Sequence, residues 1–155
     1  MNYKINVLEH EFEVTPETHL YAVSDFMGKE MHGIAVRLTW KNPETGIPEP
    51  FALITKSFGE FIGLKNCAYI DLNNCPFATK FLQEGVAADT GFTMQSGMCT
   101  YPLWQFKEEF LKEHGEENYK LYSDEYDQYM SIMNVGDDED EDLEEDQTEE
   151  MSMQL

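Results

Sequence analysis

The sequence predicts the α+β class, with an antiparallel sheet of about five or six strands and two to three helices, mostly C-terminal. In the first half of the chain, apolar and polar residues alternate between clusters of turn-forming residues, which is typical of antiparallel strands. In the second half, apolar residues recur at spacings of three and four, which is typical of amphipathic helices. Strands that precede helices favour a sheet with helices packed on one face or at one end.

Four or five strands are predicted before residue 60. Tyr3, Ile5 and Val7 share one face of a strand, and the pattern repeats at residues 12–14 after a turn near residues 9–10, which predicts an opening hairpin. Further strands are predicted at residues 20–26, 32–41 and 51–56, separated by a glycine-containing turn at 27–30 and a breaker-rich loop at 42–50. Within residues 32–41, one face is apolar throughout: Ile34, Val36, Leu38 and Trp40.

The second half is predicted to be mainly helical. A short strand at residues 68–71 precedes a helix that begins at Pro76 and ends at Gly85, and residues 91–100 form another strand. A second helix is predicted from Pro102 to Gly115, because its apolar residues have helical spacing: Leu103, Phe106, Phe110 and Leu111. A last helix carries a stripe that consists mostly of tyrosine: Tyr119, Tyr122, Tyr126, Tyr129 and Met133.

The 155 residues predict one α+β domain over residues 1–134 and a disordered acidic tail over residues 135–155. Eleven of the 31 acidic residues follow Val135, with no lysine or arginine among them, and such a segment repels itself and has too little apolar surface to fold. The remaining 20 acidic and ten basic residues leave the domain with a net charge of −10.

This charge excludes some classes of partner. Binding to nucleic acid through its phosphates needs a basic face, and Arg37 is the only arginine in a chain of net charge −21. Anionic membranes are disfavoured for the same reason.

No stretch has the roughly 20 apolar residues of a membrane span, and the first residues do not resemble a signal peptide. With three cysteines that have no close pairing, the sequence predicts a cytoplasmic protein with reduced thiols.

No cofactor and no metal site are predicted. The acidic run lacks the glycine that a calcium loop of EF-hand type needs, and the cysteines lack the short spacing of zinc ligands. Cys75 is the candidate nucleophile of a thiol-dependent enzyme, because a helix N-terminus stabilises a thiolate, although the same residues also fit a capping turn. The four histidines stand singly and are interpreted as surface or capping residues: His10, His19, His32 and His114. We therefore expect a non-enzymatic protein.

The candidate partner-binding residues lie between residues 108 and 127, where eight acidic residues fall within twenty positions. They are Glu108, Glu109, Glu113, Glu116, Glu117, Asp124, Glu125 and Asp127, together with Tyr122 and Tyr126 from the stripe. Carboxylates on a folded surface attract a basic protein surface, such as the nucleic-acid-binding groove of a nuclease. They imitate the phosphates of a duplex, which carries one charge per roughly 1.7 Å of its axis.

Other interpretations of the acidity and of the tyrosine stripe stay open. The acidic residues could serve solubility alone. The tyrosine stripe could contact a protein partner, which would make the protein an accessory interaction module, or it could pack on the chain's own sheet.

Two segments resemble an uncharacterised family of small proteins found on plasmids and conjugative elements of gut Firmicutes. They are residues 68–76, Ala-Tyr-Ile-Asp-Leu-Asn-Asn-Cys-Pro, followed by Phe81-Leu82, and residues 96–103, Ser-Gly-Met-Cys-Thr-Tyr-Pro-Leu. The resemblance covers roughly residues 1–115, with the stripe and the tail outside it, and it implies no catalytic residue. Because mobile elements commonly encode small acidic proteins that disable host nucleases, it implies an anti-restriction or anti-CRISPR inhibitor that mimics nucleic-acid charge.

Overall fold

A computed structural model of the chain describes residues 1–137, and the side chains up to residue 133. Most of the predicted tail, residues 138–155, lies outside the described residues. The chain divides into two compact units, Met1–Tyr122 and Ser123–Leu155. The described strands are β1 (Tyr3–Val7), β2 (His10–Ser24), β3 (Glu30–Lys41), β4 (Pro48–Leu53), β5 (Thr55–Lys56), β6 (Cys67–Ile70), β7 (Ala87–Ser96) and β8 (Cys99–Phe106). The described helices are α1 (Thr79–Gln83), which follows a 3-10 turn at Pro76–Ala78, α2 (Glu108–Glu113) and α3 (Glu116–Asp137).

The predicted α+β class and antiparallel pairing are confirmed, but the strands form two sheets. The first sheet has the order β1-β2-β3-β4 and the second has the order β5-β6-β8-β7. Ile54 alone separates β4 from β5, so the strand predicted at residues 51–56 is one extended segment that passes from the first sheet to the second. The Ile54 N–H donates to Val36 in the first sheet, over 3.1 Å, and its carbonyl accepts from Asp71, over 2.9 Å.

The two strands predicted at residues 12–14 and 20–26 are one 15-residue strand, β2, with Pro16 inside it. The Thr18 N–H points away from β3 and donates to the His114 carbonyl, 2.9 Å away. Because N–H groups two residues apart in a strand point the same way, the Pro16 nitrogen also points away from β3. The proline therefore removes no hydrogen bond from the ladder between β2 and β3.

The helix predicted from Pro102 begins only at Glu108, because residues 102–106 belong to β8. Leu103 is buried on one face of β8, and Trp104 and Phe106 are buried on the other. A strand that is covered on both faces has no clean alternation, and its apolar residues resemble a helical pattern. The strand predicted at residues 91–100 is likewise the end of β7, a two-residue turn and the start of β8.

An aromatic cluster fixes α2 against the sheets. The Phe110 ring of α2 lies 5.8 Å from that of Phe81 in α1 and 5.7 Å from that of Phe106 in β8. Tyr3 of β1 contacts Phe81 at 5.0 Å between ring centroids. These buried rings join four elements and hold α2 in one position.

Among the described residues, none of the helices combines the length and the apolar composition of a membrane-spanning helix.

Candidate functional site

The corner between α2 and α3 is bound to the middle of β2 through Thr18. The Thr18 hydroxyl donates to the Leu111 carbonyl and its N–H donates to the His114 carbonyl, both over 2.9 Å. The Thr18 carbonyl accepts from the Asn118 side-chain amide, also over 2.9 Å. The first two of these bonds use carbonyl groups at the end of α2, which lack partners within the helix. The short helix α2 and the first turn of α3 are therefore held rigidly on the first sheet.

This corner displays five of the predicted site residues, which we call the acidic surface: Glu108, Glu109, Glu113, Glu116 and Glu117. All five side chains are exposed. Glu108 pairs with Lys112 over 3.1 Å, and Glu113 pairs with the amino group of Met1. The hydrogen bond from this amino group lowers the pKa of Glu113. Three carboxylates on the acidic surface have no ion pair among the described residues: Glu109, Glu116 and Glu117.

The other predicted acidic residues belong to the second unit. Asp124 and Asp127 are exposed, and Glu125 is half-buried.

The four tyrosines of the stripe are buried. Tyr119 is 1% exposed and its hydroxyl donates to the Asn66 side-chain oxygen, 2.9 Å away. The Tyr122 hydroxyl accepts the Asn66 N–H over 2.9 Å. In the first unit, Tyr119 and Tyr122 are therefore buried against the chain's own residues, and Tyr122 is not available to a partner. Tyr126 and Tyr129 are also buried.

Cys75 does not have the surroundings of a reactive thiol. It precedes a 3-10 turn of only three residues, it is 5% exposed, and its Sγ lies 3.5 Å from the Leu53 carbonyl. Burial, and to a lesser degree the charge of Asp71, raises the pKa of Cys75 to about 11. From the sequence, a helix N-terminus was expected to lower the pKa of Cys75. In the structure the pKa is raised, because the thiol is desolvated.

We expect Cys75 and Cys67 to be alkylated slowly in the native protein at neutral pH, and Cys99 to react first. Burial also raises the pKa of Cys67 to about 11, whereas Cys99 is only half-buried. Because the thiolate is the reacting species, both accessibility and pKa protect the two buried thiols. Timed iodoacetamide labelling with peptide mass spectrometry measures the three rates. A native rate at Cys75 above that of a free thiol would contradict this prediction.

His114 lies at the C-terminal end of α2 with its side chain only 4% exposed. Its Nε2 has no hydrogen-bond partner among the residues that the structure describes. Its ring contacts Phe110 at 4.9 Å. Desolvation lowers its pKa below 6.5, while the nearby Glu113 carboxylate raises it and the Met1 amino group lowers it further.

We expect His114 to make the protein less stable as the pH falls from 7 to 5. As the pH falls through 6.5, the unfolded chain binds a proton at this histidine more readily than the folded chain does, so the free energy of unfolding decreases as the pH falls. His114→Phe keeps an aromatic ring and removes the titration, and its pH dependence should be shallower. Urea titrations at several pH values measure the difference. Parallel curves for the two proteins would contradict the prediction.

A groove in the first unit was not predicted from the sequence. It has a volume of about 480 Å³ and lies between β2–β3, β6–β8 and the loop at residues 57–64. Two hydrogen bonds of 2.9 Å fasten this loop to the end of β2, from the Ser24 N–H to the Gly59 carbonyl and from the Phe61 N–H to the Ser24 carbonyl. We call it the apolar groove, and the side chains that define it are Val23, Phe58, Phe61, Leu64, Tyr69 and Phe92.

The only sequence signal for the groove was the composition of its loop. Residues 58–64 are apolar apart from Glu60, contain two glycines and follow neither a strand nor a helix period. In the structure this segment is a loop, and its aromatic residues Phe58 and Phe61 line the groove. The structure places no group of three metal-binding side chains together in the part of the chain that it describes.

The family model described as "Domain of unknown function (DUF4313)" matches residues 22–126. The chain belongs to this family. The match includes the acidic surface and α3 as far as Tyr126. The resemblance implied that the tyrosine stripe lies outside the family region, but the match shows that the stripe lies partly inside it. The match starts at residue 22, near the end of β2, and leaves out β1. No curated protein and no solved structure matches the chain.

Proposed function

We propose that this protein is a non-enzymatic binding protein that acts in the cytoplasm and binds a basic protein surface through its acidic surface. The observation that supports this proposal is the exposure of five carboxylates within ten residues, on a corner held by three hydrogen bonds to Thr18. Carboxylates fixed in this way pay little ordering entropy when they bind. The net charge of −10 before the tail adds a long-range attraction for basic partners.

The kind of partner follows from the chemistry of the acidic surface. A run of carboxylates complements a lysine- and arginine-rich groove, which nucleic-acid-binding proteins use to hold phosphates. In its finer form, the proposal is that the protein belongs to a mobile element and inhibits a restriction or CRISPR nuclease by mimicking the charge of nucleic acid. Glu109, Glu116 and Glu117 are the most important contacts, because the other two carboxylates are already paired.

We expect the triple variant Glu109→Gln, Glu116→Gln and Glu117→Gln to bind its partner roughly tenfold more weakly, since three exposed charge pairs contribute about 0.5 kcal/mol each. The matched control replaces three exposed carboxylates of the first sheet and its loops, at Glu11, Glu30 and Glu44, and changes the net charge equally. Both proteins and the wild type are immobilised and incubated with lysate of a Firmicutes host. Bound proteins are eluted with salt or with duplex DNA and identified by mass spectrometry.

A nucleic-acid-binding protein that elutes at moderate salt, competes with DNA and is lost only from the triple variant would support the proposal. Equal losses from the triple variant and the control would contradict it, because net charge alone would then explain the binding. A chain that ends at Val135 provides a second comparison. Loss of binding in this shortened chain alone would move the activity to the tail and refute the role of the acidic surface.

A further inference from the structure

The apolar groove leaves more apolar surface open than the fold requires. Leu64 is 42% exposed and Phe92 is 61% exposed at its edge, and the rings of Phe58 and Tyr69 are half-buried. The volume of about 480 Å³ falls in the range of small-molecule sites, which are concave, largely apolar and supplied with a few polar groups. The groove therefore has the size and the lining of a ligand site.

The aromatic side chains in and beside the groove are fixed by their neighbours. The Phe58 ring makes edge contacts with Tyr69 at 5.5 Å and with Tyr101 at 5.3 Å. The Tyr21 hydroxyl donates to the Thr55 carbonyl over 3.0 Å, so its ring is also held in place. Prearranged aromatic rings favour a flat, aromatic ligand, because the protein loses little entropy on binding it.

Lys56 supplies a charge to this groove. Its ammonium group lies 6.0 Å from the centre of the Phe58 ring and has no carboxylate partner among the described residues. The Lys56 side chain is exposed, and its position on an aromatic face leaves its other side open to an anion.

We propose that the apolar groove binds a small aromatic molecule that carries one negative charge. The ligand's rings lie against Phe58, Leu64 and Phe92, and its anionic group pairs with Lys56. Glu60 also lines the groove, and its carboxylate repels such an anion. Both groups can therefore be tested, because Lys56 strengthens the binding and Glu60 weakens it. This site is independent of the acidic surface and of the function proposed for it.

The test uses two dyes of nearly the same shape, 8-anilinonaphthalene-1-sulfonate, which is anionic, and N-phenyl-1-naphthylamine, which is neutral. Fluorescence titrations of the full chain are expected to show one bound dye per chain. Lys56→Gln should weaken binding of the anionic dye about tenfold and change binding of the neutral dye less than twofold. Glu60→Gln should strengthen binding of the anionic dye about twofold. Lys107→Gln removes an exposed charge outside the groove and is the matched control.

A second pair of variants tests the apolar part of the site. Phe92→Ser should weaken both dyes about fivefold, whereas Met98→Ser, at a fully exposed methionine outside the groove, should change neither. Equal effects of Lys56→Gln and Lys107→Gln would overturn the proposal, as would binding of several dyes per chain. Equal effects of Phe92→Ser and Met98→Ser would place the dye elsewhere and would also overturn it.

Discussion

Gly115→Ala is expected to lower the free energy of unfolding by about 3 kcal/mol, at the upper end of what overpacking costs. A Cβ at this position would lie 2.7 Å from the Thr18 Cβ and 2.7 Å from the Thr18 carbonyl oxygen. The second of these atoms belongs to the backbone, so no side-chain rotation relieves the contact. To accept the methyl group, the corner between α2 and α3 must move away from β2 and weaken the bond from Thr18 to His114.

Urea unfolding followed by circular dichroism measures this loss. Gly63→Ala is the matched control, because its Cβ would meet no atom within 4 Å, and we expect a change of at most about 0.5 kcal/mol. Thr18→Ala keeps both atoms that clash, so it should not rescue Gly115→Ala. A loss below about 1 kcal/mol for Gly115→Ala would show that the corner moves freely, and it would remove the rigid support proposed for the acidic surface.

The same variant connects stability with function. If the acidic surface binds as a rigid array, the folded fraction of Gly115→Ala should bind its partner more weakly although every carboxylate is retained. If only the net charge matters, its affinity should equal that of the wild type. This comparison separates geometry from charge, which the triple glutamine variant alone cannot do.

Local patterns predicted the local structure well. The alternation around Ile34, Val36 and Leu38 predicted a strand with one buried face, and all three are buried in β3. The helical spacing of the tyrosines predicted α3, and the glutamates clustered in α2 and in the first turn of α3 are exposed as expected. These features depend on residues a few positions apart, where the period of a strand or helix decides which side chains share a face.

Features that depend on distant residues were not predicted. The division into two sheets follows from the passage of the chain at Ile54, where no glycine or proline marks a break. The apolar groove combines Val23, Phe58 and Phe92, which are separated by more than thirty residues in each case. Burial of Cys75 likewise depends on Leu53, to whose carbonyl its thiol donates. Sequence periodicity contains no information about such contacts.

Asn66→Ala is expected to lower the free energy of unfolding by about 3 kcal/mol, through two separate effects. The Asn66 backbone has a φ of +67°, a conformation in which alanine costs roughly 1 kcal/mol more than asparagine or glycine. The Asn66 side-chain oxygen also accepts the hydrogen bond from the Tyr119 hydroxyl, and Tyr119 is only 1% exposed. Removing this acceptor leaves a buried donor without a partner, at a cost of about 2 kcal/mol.

Two further variants separate these effects. Asn66→Gly keeps the backbone conformation and loses only the acceptor, so it should lose about 2 kcal/mol. Tyr119→Phe removes the donor, and Asn66→Ala should then cost less in the Tyr119→Phe background than in the wild type. Two hydrogen bonds of the Asn66 backbone remain in every variant. The Asn66 N–H donates to the Tyr122 hydroxyl, and the Asn66 carbonyl accepts from the Phe106 N–H. Equal stabilities for the alanine and glycine variants would refute the conformational part, and strict additivity with Tyr119→Phe would refute the role of the hydrogen bond.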